Sequence, residues 1–145
     1  MKYYREDIEK LLPHREPMLL VDEMECVDGM AVSSYHFKGD EFFFKGHFPG
    51  FPVVPGVILC EIMGQASVVL LNEDDYLVGK TPMYTGLDNV KFKHSVHPGD
   101  TFVIKSRIVN RRGPLFVLDA KGFVGETLCC SGRLSCMVVE NENRK

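Results

Sequence analysis

The chain has 145 residues, 45% of them hydrophobic, and a formal net charge of −3. That length holds one domain around one core, and the apolar share excludes a disordered chain. The slight acidity excludes the global positive field of a nucleic-acid binder.

The first seven residues, Met1-Lys2-Tyr3-Tyr4-Arg5-Glu6-Asp7, are polar and read as no secretory leader. Ile8, Leu11 and Leu12 predict a short helix with one apolar side, stopped by Pro13. Met18-Leu19-Leu20-Val21 is expected to begin a strand, and Asp28-Gly29 marks a tight turn into Met30-Ala31-Val32. Residues 41–48 are rich in aromatics and run into a cluster of Gly46, Pro49, Gly50, Pro52, Pro55 and Gly56.

Residues 55–71 carry the strong helix signal, with Pro55 at the first helical position, where a missing N–H costs nothing. Apolar side chains point all round its axis, so protein must surround it. The apolar run 53–71 is broken by Pro55, Glu61, Gly64 and Gln65. With an ionisable group at its middle it predicts a buried helix and no membrane span.

The second half reads as strands. Phe102, Ile104 and Ile108 share one side of residues 101–109, and Lys105 and Arg107 the other. Arg111-Arg112-Gly113-Pro114 turns the chain into a strand over 115–124. Leu128, Cys130, Leu134, Cys136 and Val138 are then expected on one face of a last strand, opposite Ser131, Arg133 and Ser135. The expected fold is α+β: one domain over residues 1–145, a long curled antiparallel sheet wrapped around one buried helix, with a frayed polar tail. Five cysteines without a CxxC spacing support neither a zinc site nor a disulfide framework, and read as free, mostly buried thiols in a reducing cytosol.

Two polar side chains in the middle segment need explaining. Glu61 stands mid-helix among apolar neighbours, with Gln65 one turn later on the same face. A buried carboxylate is costly unless it is paired or protonated, and Gln65 or a backbone group could simply satisfy it. His47 stands just before the helix, where a histidine among aromatics is ordinarily a satisfied core residue. His14, His36, His94 and His97 are assigned such structural roles.

Together these features carry more. Gly46-His47-Phe48-Pro49-Gly50, Pro52-Val53-Val54-Pro55-Gly56-Val57 and Glu61-Ile62-Met63-Gly64-Gln65 follow one another within about twenty residues. Leu11-Leu12-Pro13-His14-Arg15 precedes them, and Gly86-Leu87-Asp88-Asn89-Val90-Lys91-Phe92-Lys93 and Pro98-Gly99-Asp100 follow. In this order the chain resembles the β-hydroxyacyl–acyl-carrier-protein dehydratases of the FabZ type, of hot-dog fold. The resemblance implies that His47 is the catalytic histidine and Glu61 the catalytic acid, glutamate marking the FabZ branch over the aspartate of the FabA type. It implies that the Gly56 N–H polarises the substrate carbonyl, that the Val53 carbonyl orients the histidine, and that Gln65 steadies the acid. It further implies an acyl-carrier-protein partner, and active sites shared across a homodimer within a trimer of dimers. Ile62 and Gly64 depart from the alanines usual in the family, a change that bears on the acyl tunnel.

Such a reaction removes an α-proton and expels a β-hydroxyl. The donor at the helix N-terminus can meet the developing oxyanion, and His47 can take the proton. Glu61 is expected to be protonated through burial among Leu59, Ile62 and Met63, which raises a carboxyl pKa. Either Glu61 gives the departing hydroxyl its proton, or His47 shuttles that proton while Glu61 binds the hydroxyl. No metal, nucleotide or other cofactor is required. Phe42, Phe43, Phe44 and Phe48 are tunnel-wall or core residues. Lys91, Lys93, Arg111 and Arg112 are candidates for docking the acidic carrier. The expected location is cytoplasmic, with no nucleic-acid or membrane partner. Rival readings are a dehydratase that also isomerises its product, a hot-dog acyl thioesterase, and a non-enzymatic acyl-binding protein.

Overall fold

Asp28 and Gly29 both adopt positive φ, 51° and 77°, as a two-residue hairpin turn requires. They join β2 (Glu23–Val27) to β3 (Met30–His36), pairing Val27 with Met30. The computed structural model describes residues 2–45, 50 and 52–141. Its other strands are β1 (Lys2–Tyr4), β4 (Lys80–Phe92), β5 (Thr101–Arg112), β6 (Leu115–Val124) and β7 (Thr127–Glu140). They form one seven-stranded sheet in the order β1-β2-β3-β5-β6-β7-β4, every pair antiparallel. The helices are α1 (Arg5–Leu11), α2 (Gly56–Ala66) and α3 (Val68–Leu71).

Helix α2 packs on β3, β5 and β6. Ile62, Met63 and Ala66 are fully buried against a sheet face that carries Phe102, Ile104, Phe116, Leu118 and Leu134. This is the α+β architecture expected from the sequence, a long antiparallel sheet around a central helix. Two serines fix the helix to the sheet. Ser33 on β3 donates to the Ala66 carbonyl at 2.7 Å, and Ser67 donates to Met63 O at 2.7 Å and accepts from the Ser106 hydroxyl on β5 at 2.8 Å. These bonds lie where the expected continuous helix over 55–71 divides into α2 and α3 around Ser67.

The fold differs from the sequence pattern at four further points. Pro55 is the N-cap of α2, with ψ 139°, so Gly56 is the first helical residue. Val57 is 77% exposed, so the helix is not enclosed on every side by its own chain. Residues 18–21 are buried or half-buried but lie before β2, because their backbone groups bond to side chains instead of a neighbouring strand: the Leu20 N–H to Gln65 and the Leu19 carbonyl to Arg5. On β7, Cys130 stands opposite Gly122 and Leu128 opposite Phe123. Cys129 is therefore an extra, bulged residue, and Leu128 leaves the face that Cys130 keeps. Four cysteines are buried and Cys26 is at the surface, all free.

β4 was not distinguished by its pattern and proves to be the far edge of the sheet. It exposes Met83, Tyr84, Leu87 and Phe92. Among the described residues, no helix is long and apolar enough to cross a membrane.

Candidate active site

Helix α2 runs antiparallel to β4. An added Cβ on Gly56 would stand 3.0 Å from the Phe92 ring, and one on Gly64 would stand 2.7 Å from Cζ of Tyr84. The two glycines thus let a strand side chain lie against each end of the helix. Glu61 lies between them, its side chain 26% exposed.

Three groups define the surroundings of Glu61. Gln65, one turn on, donates to Glu61 Oε2 at 2.9 Å and to the Met18 carbonyl at 2.8 Å, while its own oxygen accepts from the Leu20 N–H at 2.9 Å. Two acceptors on one side and a donor on the other fix the amide orientation. His14 approaches the same Oε2 with Nε2 at 3.1 Å. A carboxylate can only accept, so Nε2 carries the proton of this bond. Arg15 holds that loop wound by donating to the carbonyls of Leu12, His14 and Glu9 at 2.9, 2.7 and 3.1 Å. Both bonds fall on Oε2, leaving Oε1 as the oxygen not engaged by these two donors. His14 Nδ1 is buried and has no partner among the described residues.

This geometry reverses one expectation. The hydrogen bond from His14 holds the Glu61 carboxyl below the usual carboxylate range; partial burial pushes it up by less, and Gln65 adds to the lowering. Hydrogen bonds to the charged form outweigh a desolvation that is incomplete. Glu61 is therefore a carboxylate at neutral pH and not the protonated acid that its apolar neighbours suggested. His14, assigned a structural role from sequence, belongs to this site. Its one signal was its place in the Leu-Pro-His-Arg segment that α1 ends on.

A cavity of about 350 Å³ opens beside Glu61 and His14 and runs to an apolar wall that includes Val68, Leu71, Leu118 and Leu134. Its size suits a small ligand or an acyl chain. Gly56 opens α2, whose N-terminus carries no side-chain cap among the described residues. The loop before it is held by the bond from the Val54 N–H to the Val96 carbonyl at 2.8 Å, and Val53 is half-buried within it. His47 and Phe48 lie outside the described residues. Phe43 and Phe44 are core residues that meet the Phe37 ring edge-on, while Phe42 is exposed. Arg111 is committed to the fold, its guanidinium 4.5 Å from the Tyr76 ring centre and 4.4 Å from that of Phe116. Lys91, Lys93 and Arg112 are exposed. No group of three histidine, cysteine or acidic side chains among the described residues could hold a metal ion.

A FabA-like domain matches residues 12–133, which include His14, Val53, Gly56, Glu61 and Gln65. The chain belongs to the FabA-like family. Among its relatives, a 3-hydroxyacyl-acyl-carrier-protein dehydratase FabZ of Streptococcus equi is 43% identical over 129 residues, 88% of this chain and 92% of its own. The dehydratase of the same name from Clostridium perfringens is 41% identical over 130 residues, 88% of this chain and 93% of its own. In three dimensions the chain is similar to a dehydratase heterocomplex from Xenorhabdus doucetiae, with TM-score 0.75 and 18% identity over 93% of this chain and 92% of that one. It also superposes on a probable thioesterase from Bartonella henselae, with TM-score 0.62 and 14% identity over 79% of this chain and 94% of that one. At such identities these structures speak for the shared fold alone.

Proposed function

We propose that this protein dehydrates (3R)-3-hydroxyacyl thioesters carried on acyl-carrier protein, giving the trans-2-enoyl thioester and water in cytoplasmic fatty acid synthesis. The relatives that span nearly the whole chain are named for this reaction. The observation that carries the reading is Glu61: a carboxylate fixed by two donors on one oxygen, lining an apolar cavity of about 350 Å³.

Because Glu61 is ionised, its role is to accept a hydrogen bond from the β-hydroxyl through Oε1 and orient that leaving group. His47 removes the α-proton as neutral imidazole and returns a proton to the departing hydroxyl, so that C–H and C–O bonds break and water leaves. The Gly56 N–H, at the positive end of the α2 dipole, stabilises the developing oxyanion of the thioester. The Val53 carbonyl orients the His47 ring. Lys91 and Lys93 flank Phe92, whose ring lies over Gly56; they place positive charge at this end of α2, where an acidic carrier would deliver the thioester. Arg111 and Arg112 lie toward the opposite end of the sheet, in register with Phe116 and Leu115.

The test is hydration of a crotonyl thioester, followed as loss of enoyl absorbance. The expected result is hydration without release of free thiol. Thiol release without hydration would replace the reading with a thioesterase.

The edge strand β4 supports a homodimer. Its thirteen residues leave one row of backbone groups unpaired beside exposed Met83, Leu87 and Phe92, and such edges recruit a partner strand. A second copy placed edge to edge would continue the sheet through a two-fold axis. In this reading each site uses His47 of one subunit and Glu61 of the other. Inactive His47→Ala and Glu61→Gln chains, co-refolded in equal amounts, should then recover about a quarter of wild-type activity, because about half the dimers are mixed and each has one intact site. Mixed dimers verified by differential tags yet inactive would place both residues within one subunit.

A further inference from the structure

Tyr84 has no part in the acid–base chemistry, yet it lines the cavity at the end of α2 remote from Gly56. Its hydroxyl donates to the Cys60 carbonyl at 2.6 Å, which ties the ring to the helix. Burial and the Glu61 carboxylate both push its pKa up, so it stays a neutral donor. The ring can sit there only because residue 64 lacks a side chain: a Cβ on Gly64 would overlap the hydroxyl and stand 2.7 Å from Cζ. Tyr84 pairs with Cys136 on β7, and β4 shifts register between Tyr84 and Gly86. The irregularity follows directly on the residue whose ring meets the helix.

We propose that Tyr84, seated on the bare backbone of Gly64, is the wall that sets how long an acyl chain the cavity accepts. The inference rests on the acyl-thioester reading above. A chain delivered at the Gly56 end passes Glu61 and meets the Tyr84 ring at Gly64, before the part of the cavity lined by Val68 and Leu71, so the ring decides how far the chain runs on along the helix. Each methylene that finds room in such a wall is worth about fourfold in affinity.

The experiment measures binding of saturated acyl-pantetheine thioesters, from four to twelve carbons, to the full-length protein by calorimetry. Saturated thioesters cannot be hydrated, so this readout is independent of turnover, and crotonyl hydration is followed separately. Tyr84→Ala should extend the chain length at which affinity stops rising, by one or more methylenes, each about fourfold. Gly64→Ala should shorten it, since the added methyl and the displaced ring both occupy cavity volume. In the double variant the methyl has no ring to displace, so the profile should follow Tyr84→Ala. A length profile unchanged in both single variants would overturn the role of Tyr84 even if hydration is intact. Lost hydration with shifted profiles would count against the dehydratase reading and leave the wall standing.

Discussion

Replacing His47 with alanine should lower kcat for enoyl hydration by two to four decades while the thermal transition of the protein is retained. The reaction needs a base for the α-proton, and the other histidines with structural partners are engaged elsewhere. His36 bonds to Thr101 at 2.9 Å, and His97 lies 3.7 Å from Asp100. His94 is exposed beyond β4. The real competitor is His14, which lines the cavity and touches Glu61. His14→Gln keeps a donor toward Glu61 but cannot take up a proton at neutral pH. It should therefore retain most of the turnover that His47→Ala loses. The opposite pattern, an inactive His14→Gln beside an active His47→Ala, would move the base to His14.

Glu61→Gln should be nearly as damaging, with a loss of at least two decades in kcat, because the substitution inverts the polarity offered to the substrate. His14 and Gln65 both donate toward the position of Oε2. A glutamine at 61 satisfies them only by turning its oxygen there, which leaves its NH₂ toward the β-hydroxyl as a donor where an acceptor is needed. The same change should also lower stability at neutral pH. A neutral amide replacing a buried acid would have been expected to hold or raise it, but the carboxylate here is stabilised by its hydrogen bonds. Since the folded pKa lies below the unfolded one, the ionised group contributes stability above the unfolded value, about 4.3. That contribution is lost as pH falls through the folded value. The difference in Tm between wild type and Glu61→Gln should therefore be largest near neutrality and close in acid. A variant that melts higher than wild type at pH 7 would contradict the charge assigned to Glu61.

Much of this molecule follows from local rules that act within a few residues. Asp28-Gly29 is a hairpin turn because both residues tolerate positive φ. The alternation of Phe102, Ile104 and Ile108 against Lys105 and Arg107 defines β5 because strand side chains alternate across the sheet. Glu61 and Gln65 meet because they are one helical turn apart. The ordered segments around His47, Gly56 and Glu61 sufficed to point to the family. What the chain could not reveal locally is which distant groups converge. His14 reaches Glu61 only because the loop that follows α1 is brought against α2, and that contact turns an expected neutral acid into a carboxylate. Residues 18–21 look like a strand but give their backbone bonds to Arg5 and Gln65, partners supplied by other elements. The helix over 55–71 breaks at Ser67, where the hydroxyls of Ser33 and Ser106 meet it from two strands. Tyr84 meets Gly64 because β4 returns along the helix. Each of these is set by packing between elements far apart in sequence, where hydrogen-bond partners and excluded volume, not propensity, decide the outcome.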